Sequence, residues 1–205
     1  PTDYVDLFQL HKPPPALLRS SDILTPLEAL RRAGKIRYFG IACDTVEDAL
    51  LCLKLPGIAS IQITINLLDQ KALSELLPRA RDQGLGVIAR NPRAQGHLTN
   101  DLSDITAETY ARSQQEVEMS KTAAQAFLLL TDTNRTLVQA AIQFVRQLDG
   151  VSVLIPRAIS RRQLDEILTA QNLPEFSEQQ LHAIDRISRE SLSHPPRHRY
   201  RATAP

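Results

Sequence analysis

Val151-Ser-Val-Leu-Ile-Pro-Arg-Ala-Ile-Ser160, continued by Arg161-Arg-Gln-Leu-Asp-Glu166, reads as a short buried strand running straight into the start of a helix. Ser160 stands three residues before Gln163, the spacing of a capping box. Backbone N–H groups and the positive end of the helix dipole therefore converge at this turn. Arg157, Arg161 and Arg162 add full charges beside it. The combination suits an anionic phosphate, although arginines at a helix start are also common as solvated surface charges. Its place as the last strand-to-helix turn of an alternating chain favours the phosphate.

The alternation extends back to the N-terminus. Residues 4–10 read as a strand, followed by a Pro-rich turn at 12–15. A helix is predicted from Thr25, with Pro26 in its first turn, Glu28 at capping distance and Gly34 past its end. Residues 38–42 form the second strand, leading to a helix capped by Asp44 or Thr45. Residues 61–65 form the third, leading to a helix over about 69–83 that Gly84 closes. The fourth strand, 86–90, precedes a polar stretch over 98–109 and helices near 113–130 and 136–148, ended by Gly150. The fifth strand is 151–155, with a helix from Ser160, and a final helix starts at Ser177 with capping-box spacing to Gln180.

Short apolar strands alternating with amphipathic helices imply parallel strands with crossover helices, in a barrel or a doubly wound sheet. No Gly-x-Gly-x-x-Gly turn opens any helix, which weakens the doubly wound dinucleotide-binding alternative. A barrel that binds phosphate after its last strands fits the 151–166 turn. A complete eightfold barrel takes about 250 residues. The expected fold is therefore α/β, an incomplete (β/α)8 barrel of the TIM type with five parallel strands and outer helices. It comprises one partial barrel over 1–193 and a basic, disordered tail over 194–205 carrying Arg197, Arg199 and Arg201. The chain enters its first strand at once and lacks an initiator Met, which suggests a truncated or partial sequence.

A net charge of +1 over 205 residues gives no reason to expect nucleic-acid or membrane binding. No apolar run approaches the ~18 residues of a bilayer span, and no signal peptide is visible, so a cytoplasmic location is expected. Cys43 and Cys52 suit neither a disulfide framework nor a zinc pattern and read as buried or half-buried thiols; no metal is expected.

In such a barrel, reactive groups sit where strands end. His11 follows the first strand, where an imidazole could hydrogen-bond a carbonyl oxygen, though alone it is as readily structural. Gln62 interrupts a β-branched strand and needs partners, either a backbone group or the amide of a bound cofactor. Arg90 and Asn91 end the fourth strand beside Pro92; that guanidinium can stack on a flat ring or form a surface ion pair. Asp101, Asp104 and Glu108 have no ligand spacing and read as solvated.

Several segments together resemble the aldo-keto reductases, NAD(P)H-dependent carbonyl reductases built on a (β/α)8 barrel. Asp3-Tyr-Val-Asp-Leu-Phe-Gln-Leu-His-Lys-Pro13 resembles that family's fourth strand with its active-site histidine, and Gly34-Lys-Ile-Arg-Tyr-Phe-Gly-Ile41 the approach to its fifth. Ile61-Gln-Ile-Thr-Ile-Asn-Leu-Leu-Asp69 is similar to the sixth, Val87-Ile-Ala-Arg-Asn-Pro-Arg-Ala-Gln-Gly96 to the seventh, and Val153-Leu-Ile-Pro-Arg157 through Glu166 to the eighth. The resemblance implies that His11 orients the carbonyl of a small substrate and Gln62 holds the nicotinamide carboxamide. It implies further that Arg90 replaces a ring-stacking tyrosine and that Asn91 and Arg93 lie along the pyrophosphate. Arg157, Ser160 and Gln163 would line the adenosine phosphate pocket, with Glu166 near the adenine. A cation at Arg157 beside a helix N-terminus would favour NADPH over NADH.

The departures from the family pattern are specific. Its usual Ser-Asn pair after the fifth strand is Ala42-Cys43, and the Asn after the adenine-side glutamate is Ile167. Its proton-donating tyrosine, with the partnering lysine and aspartate, belongs to three earlier units, and Tyr4, Tyr38, Tyr110 and Tyr200 match no such position. The expectation is a partial aldo-keto reductase whose parent reduces aldehydes or ketones with NADP(H), the chain itself being inactive. The alternatives are a degenerate nucleotide-binding or regulatory module, and a structural protein whose sheet edges a partner covers.

Overall fold

The computed structural model describes residues 2–99 and 114–192. Five strands form one parallel sheet in chain order: β1 (Val5–His11), β2 (Ile36–Ala42), β3 (Ser60–Thr64), β4 (Gly86–Arg90) and β5 (Val153–Ile155). The sheet curls toward a barrel without closing one, the architecture of an incomplete (β/α)8 fold. Between β1 and β2 lie α1 (Pro15–Ser20) and α2 (Leu24–Arg32), and α3 (Val46–Cys52) joins β2 to β3. Next come α4 (Lys71–Ser74) and α5 (Leu76–Asp82), then, after β4, α6 (Gln114–Gln125) and α7 (Leu137–Arg146). Finally, α8 (Arg161–Thr169) and α9 (Glu178–Leu192) follow β5.

Strand periodicity decides which face is buried. Phe39, Ile41, Ile61, Ile63, Val87 and Ala89 are at most 1% exposed and point into the helix layer. Their neighbours in sequence therefore occupy the opposite, concave face. The in-register ladder groups those residues in rows: Leu7 beside Tyr38, then Gln9, Gly40, Ser60 and Gly86, then His11, Ala42, Gln62, Ile88 and Val153. The last row is Thr64, Arg90 and Ile155. On the helix side, α7 is buried from Leu137 through Val145, and a small apolar cluster of Val138, Ile142, Ile167 and Ala170 joins it to α8. Thr136 caps α7 in a complete capping box with Gln139.

The expected strands and their order hold, with shifts at the ends. His11 is the last residue of β1 rather than the first of the loop, and β5 begins at Val153 instead of Val151. The Pro-rich turn contains α1, with Pro15 at its first position, where a missing N–H costs nothing. Helix α2 starts at Leu24 after Ile23 and has no side-chain cap, so Thr25 and Pro26 lie within its first turn. Ser21, at φ 61°, turns the chain two residues before Ile23, and the Leu24 N–H donates to its carbonyl. The single helix expected over 69–83 is two, broken at Glu75 (φ −125°, ψ −48°). Pro78 explains the break, because its ring excludes the carbonyl four residues back, on Ser74. The helix expected over 113–130 tightens to a 3-10 turn at Ala126–Leu130. The start of that helix at Ser113, the acidic positions 101, 104 and 108, and the tail 194–205 lie outside the described residues.

Gly40 is required by its neighbours on the concave face. A Cβ there would fall 2.2 Å from Ser60 Oγ and 2.6 Å from the Ser60 carbonyl oxygen. Gln9 Nε2 donates to Ser60 Oγ (3.1 Å) across this gap, from β1 to β3, and Gln62 Nε2 donates to Gln9 Oε1 (2.5 Å). Gly40→Ala is accordingly expected to destabilise the chain by about 1–3 kcal/mol through overpacking against backbone. A urea melt checks this, and an unchanged midpoint would contradict the account of that row.

Candidate functional site

Parallel strands deliver all their C-terminal ends to one rim, and there the β4 and β5 loops bound a cleft of about 580 Å³. Lys12, Arg90, Arg93 and Arg157 supply four cations to its lining, against the carboxylates of Asp44 and Asp69. The cleft therefore favours an anion. Asn91, Gln95 and Gln163 contribute amides and Ile155 and Ile159 an apolar flank. Ile159 is 73% exposed, an unusual cost for a large aliphatic side chain unless something covers it.

The β4 loop is shaped by Asn91 and Asn66. Asn91 takes a left-handed backbone (φ 55°), which asparagine tolerates, and its Oδ1 accepts the Gln95 N–H at 2.7 Å. Asn66, 2% exposed after β3, donates from Nδ2 to the Asn91 carbonyl at 3.1 Å. Its Oδ1 also accepts the N–H groups of Leu68 and Asp69. Arg93 then reaches the neighbouring loop: its Nη1 donates to the Arg157 carbonyl at 3.0 Å and lies 3.4 Å from Gln163 Oε1. Ser160 caps α8 as expected, its Oγ accepting the Gln163 N–H at 3.2 Å. The reciprocal half of the box is absent, because Gln163 Oε1 accepts from Ile159 N–H (3.0 Å) and not from Ser160.

At the other end of the cleft, Asp44 bridges three strand ends. Lys12 Nζ lies 2.9 Å from Oδ2, and Arg90 Nη2 donates to Oδ1 at 2.7 Å while also reaching the Cys43 carbonyl at 3.0 Å. Lys12 first, and Arg90 after it, hold the Asp44 carboxyl below its ordinary value. Sequence reading offered Asp44 as a helix cap; Thr45 fills that role, accepting the Asp48 N–H at 3.1 Å, and so leaves Asp44 free to pair. Opposite charges at neighbouring strand ends were the available signal for this network.

Arg90, Asn91, Arg93, Arg157 and Gln163 thus share one cleft. His11 and Gln62 stand in one row of the concave face, two strands apart, roughly 10 Å by strand spacing. Neither lines the cleft itself. Ser160 sits at the start of α8, lining a shallower hollow with Arg161. Glu166 is turned the other way, its Oε1 accepting a hydrogen bond from the Thr136 hydroxyl at 2.7 Å. Ile167 is buried against α7, so packing accounts for that departure from the family pattern.

Two guanidinium atoms test whether a phosphate-bearing group fits. Arg90 Nε and Arg93 Nε are buried donors with no hydrogen-bond partner, on residues that line the cleft. A buried N–H left unmade is costly, and both guanidinium groups bring positive charge to a cleft that an anion would occupy.

The aldo/keto reductase family model matches residues 1–189, and the chain belongs to that family. It is 25% identical over 202 residues to the uncharacterized oxidoreductase YqkF of Bacillus subtilis (strain 168), covering 93% of this chain and 62% of that protein. The NADH-specific methylglyoxal reductase of Escherichia coli (strain K12) is 31% identical over 103 residues, which is 49% of this chain and 32% of the relative. Among solved structures, the holo form of aldo-keto reductase AKR11C1 from Bacillus halodurans superposes with a TM-score of 0.71 at 25% identity, over 91% of this chain and 62% of that one. Glycerol dehydrogenase AKR11B4 from Gluconobacter oxydans shares the fold, with a TM-score of 0.74 at 21% identity over 96% of this chain and 62% of its own. The chain therefore spans less than two thirds of the length of these relatives.

The ion-pair network yields a pH prediction. A carboxyl whose value is lowered by folding stabilises fully above its unfolded value and loses that contribution as pH falls through the lower folded value. Asp44→Asn should cost less than about 1 kcal/mol at neutral pH, since the pair is half exposed. Its deficit against the parent chain should close as the pH is taken below 3.8. Denaturation at several pH values checks this; a deficit independent of pH would show that the charge is not what matters.

Proposed function

We propose that the cleft is the nucleotide side of a carbonyl-reducing site that uses NADP(H). The carrying observation is that Arg90, Asn91, Arg93, Arg157 and Gln163 line one cationic cleft with two unpartnered buried guanidinium donors. In this reading Arg93 and Asn91 hold the pyrophosphate. Arg157, Ser160 and Gln163 hold the adenosine phosphate at the N-terminus of α8, where the dipole adds to the arginine charge. Gln62 exchanges its bond with Gln9 for the nicotinamide carboxamide. Arg90, held by Asp44 and the Cys43 carbonyl, would supply a planar guanidinium surface for the ring. Glu166 serves the adenine side while anchored through Thr136. When bound, the cofactor supplies the hydride.

His11 hydrogen-bonds the carbonyl oxygen of a small aldehyde or ketone at the rim, aligning it for reduction. Protonation of that oxygen needs a donor. Among the described tyrosines, Tyr4 has its hydroxyl engaged by Arg37 at 2.9 Å, and Tyr38 lies beside Leu7, four residues before the His11 row. The 205-residue chain should therefore bind the nucleotide without reducing carbonyls. Loss of general acid catalysis is worth roughly 10²–10⁴-fold.

Titration of NADPH and NADH against the purified chain, followed by nicotinamide fluorescence, tests the reading. Arg157→Gln should weaken NADPH about tenfold or more, the worth of a charge-assisted bond, and leave NADH unchanged. Failure of either nucleotide to bind, or equal weakening of both, would overturn it. Reduction of an aromatic aldehyde by the unaided chain would overturn the proposed lack of turnover.

A further inference from the structure

Cys43 and Cys52 are the only cysteines, and the proposed reduction uses neither thiol. Cys43 follows β2, its N–H held by the Gln62 carbonyl at 2.8 Å, and Cys52 ends α3. Both are unpaired by disulfide and buried, at 2% and 0% exposure. Their sulfurs nevertheless lie 3.5 Å apart. A disulfide needs about 2.05 Å, so closing the gap takes an approach of about 1.5 Å, within reach of small side-chain rotations.

A small cavity lies beside Cys43, the first of the pair. Cys43, Ala42, Asp44, Lys12 and Asp48 line a cavity of about 190 Å³ beneath the Pro13 to Pro15 turn. Water takes about 30 Å³ of liquid volume, so a peroxide-sized reagent has room there. We propose that Cys43 and Cys52 are an oxidative modification site, closing to an intramolecular disulfide on reaction with hydrogen peroxide or a hydroperoxide of similar size.

The chemistry balances in two steps. The Cys43 sulfur attacks one peroxide oxygen, the O–O bond breaks, and the leaving hydroxide takes up the thiol proton and departs as water. The Cys52 sulfur then attacks the Cys43 sulfenic sulfur, the S–O bond breaks, and the second oxygen leaves as water. Two thiols lose two electrons, and one peroxide becomes two waters.

The surroundings set the pace. Cys52 facing it, burial and the Asp48 carboxylate of α3 hold the Cys43 thiol in its neutral form, against Arg90 of β4. Lys12 and Asp44, on the cavity wall, are paired with each other. Since only the thiolate attacks, closure is slow near neutrality and should rise about tenfold per pH unit. Arg90 Nη2 is bonded to the Cys43 carbonyl, so a bond from Cys43 to α3 would tie that anchor to a helix.

The folded chain is treated with hydrogen peroxide at pH 6.5 and 8.5, quenched, unfolded with an alkylating agent and mapped by mass spectrometry. The expected product is one cross-linked peptide pair joining Cys43 to Cys52, lighter by its two thiol hydrogens, formed faster at the higher pH and reversed by a thiol reductant. In Cys52→Ala, checked for folding by circular dichroism, Cys43 should stop at a sulfenic acid that dimedone traps. Complete alkylation of both cysteines after prolonged exposure, cross-links only between chains, or oxidation to sulfinic acid without a cross-link would each overturn the proposal. The readout does not depend on whether the chain binds a nucleotide.

Discussion

Everything at the rim follows from the alternation of side chains in an in-register parallel sheet. Once Phe39, Ile41, Ile61, Ile63, Val87 and Ala89 are committed to the helix layer, a one-residue slip in any strand would expose them and bury the polar row. That commitment alone places His11, Gln62 and Arg90 on the concave face. The strands run in one direction, so the loops after them meet at one end, where the cationic side chains gather. The apolar pattern of the strands thus fixes a polar site that it does not contain.

Two kinds of contact then hold the site. Across the sheet, the Gln9, Ser60 and Gln62 side chains form a chain of hydrogen bonds over the space left by Gly40. Around the rim, Asp44 joins the ends of β1, β2 and β4, while Arg93 joins the β4 loop to the β5 loop. The bonds across the sheet are partly buried, whereas those around the rim are half exposed, individually weak and able to exchange for a ligand's atoms. Their cost is visible in the guanidinium N–H groups left without partners.

Much of this was legible in the chain itself. Apolar strands bounded by Gly and Pro gave the strand order, and the residues at their ends named five of the cleft's lining side chains. What escaped had tertiary causes. The break at Glu75 depends on Pro78 acting on a carbonyl four residues earlier, and α2 starts early because Ser21 turns left-handed. Lys12, Asp44, Gln9 and Ser60 act through partners on other strands, which spacing along one strand does not reveal. The thiols of Cys43 and Cys52 are expected to be buried, but their contact joins residues nine apart across the β2–α3 connection, which the burial of each alone does not reveal. Glu166 shows the converse, since a residue matched to a family motif is here bonded to Thr136.

Hydrogen–deuterium exchange of the chain with and without saturating NADPH tests the central claim most directly. Ligand contact and ordering slow amide exchange where they occur. The account predicts protection concentrated in the segments after β4 and β5, about residues 91–97 and 157–163, with the opposite end of the sheet unchanged. Protection at the other rim, or none anywhere at saturating nucleotide, would contradict it.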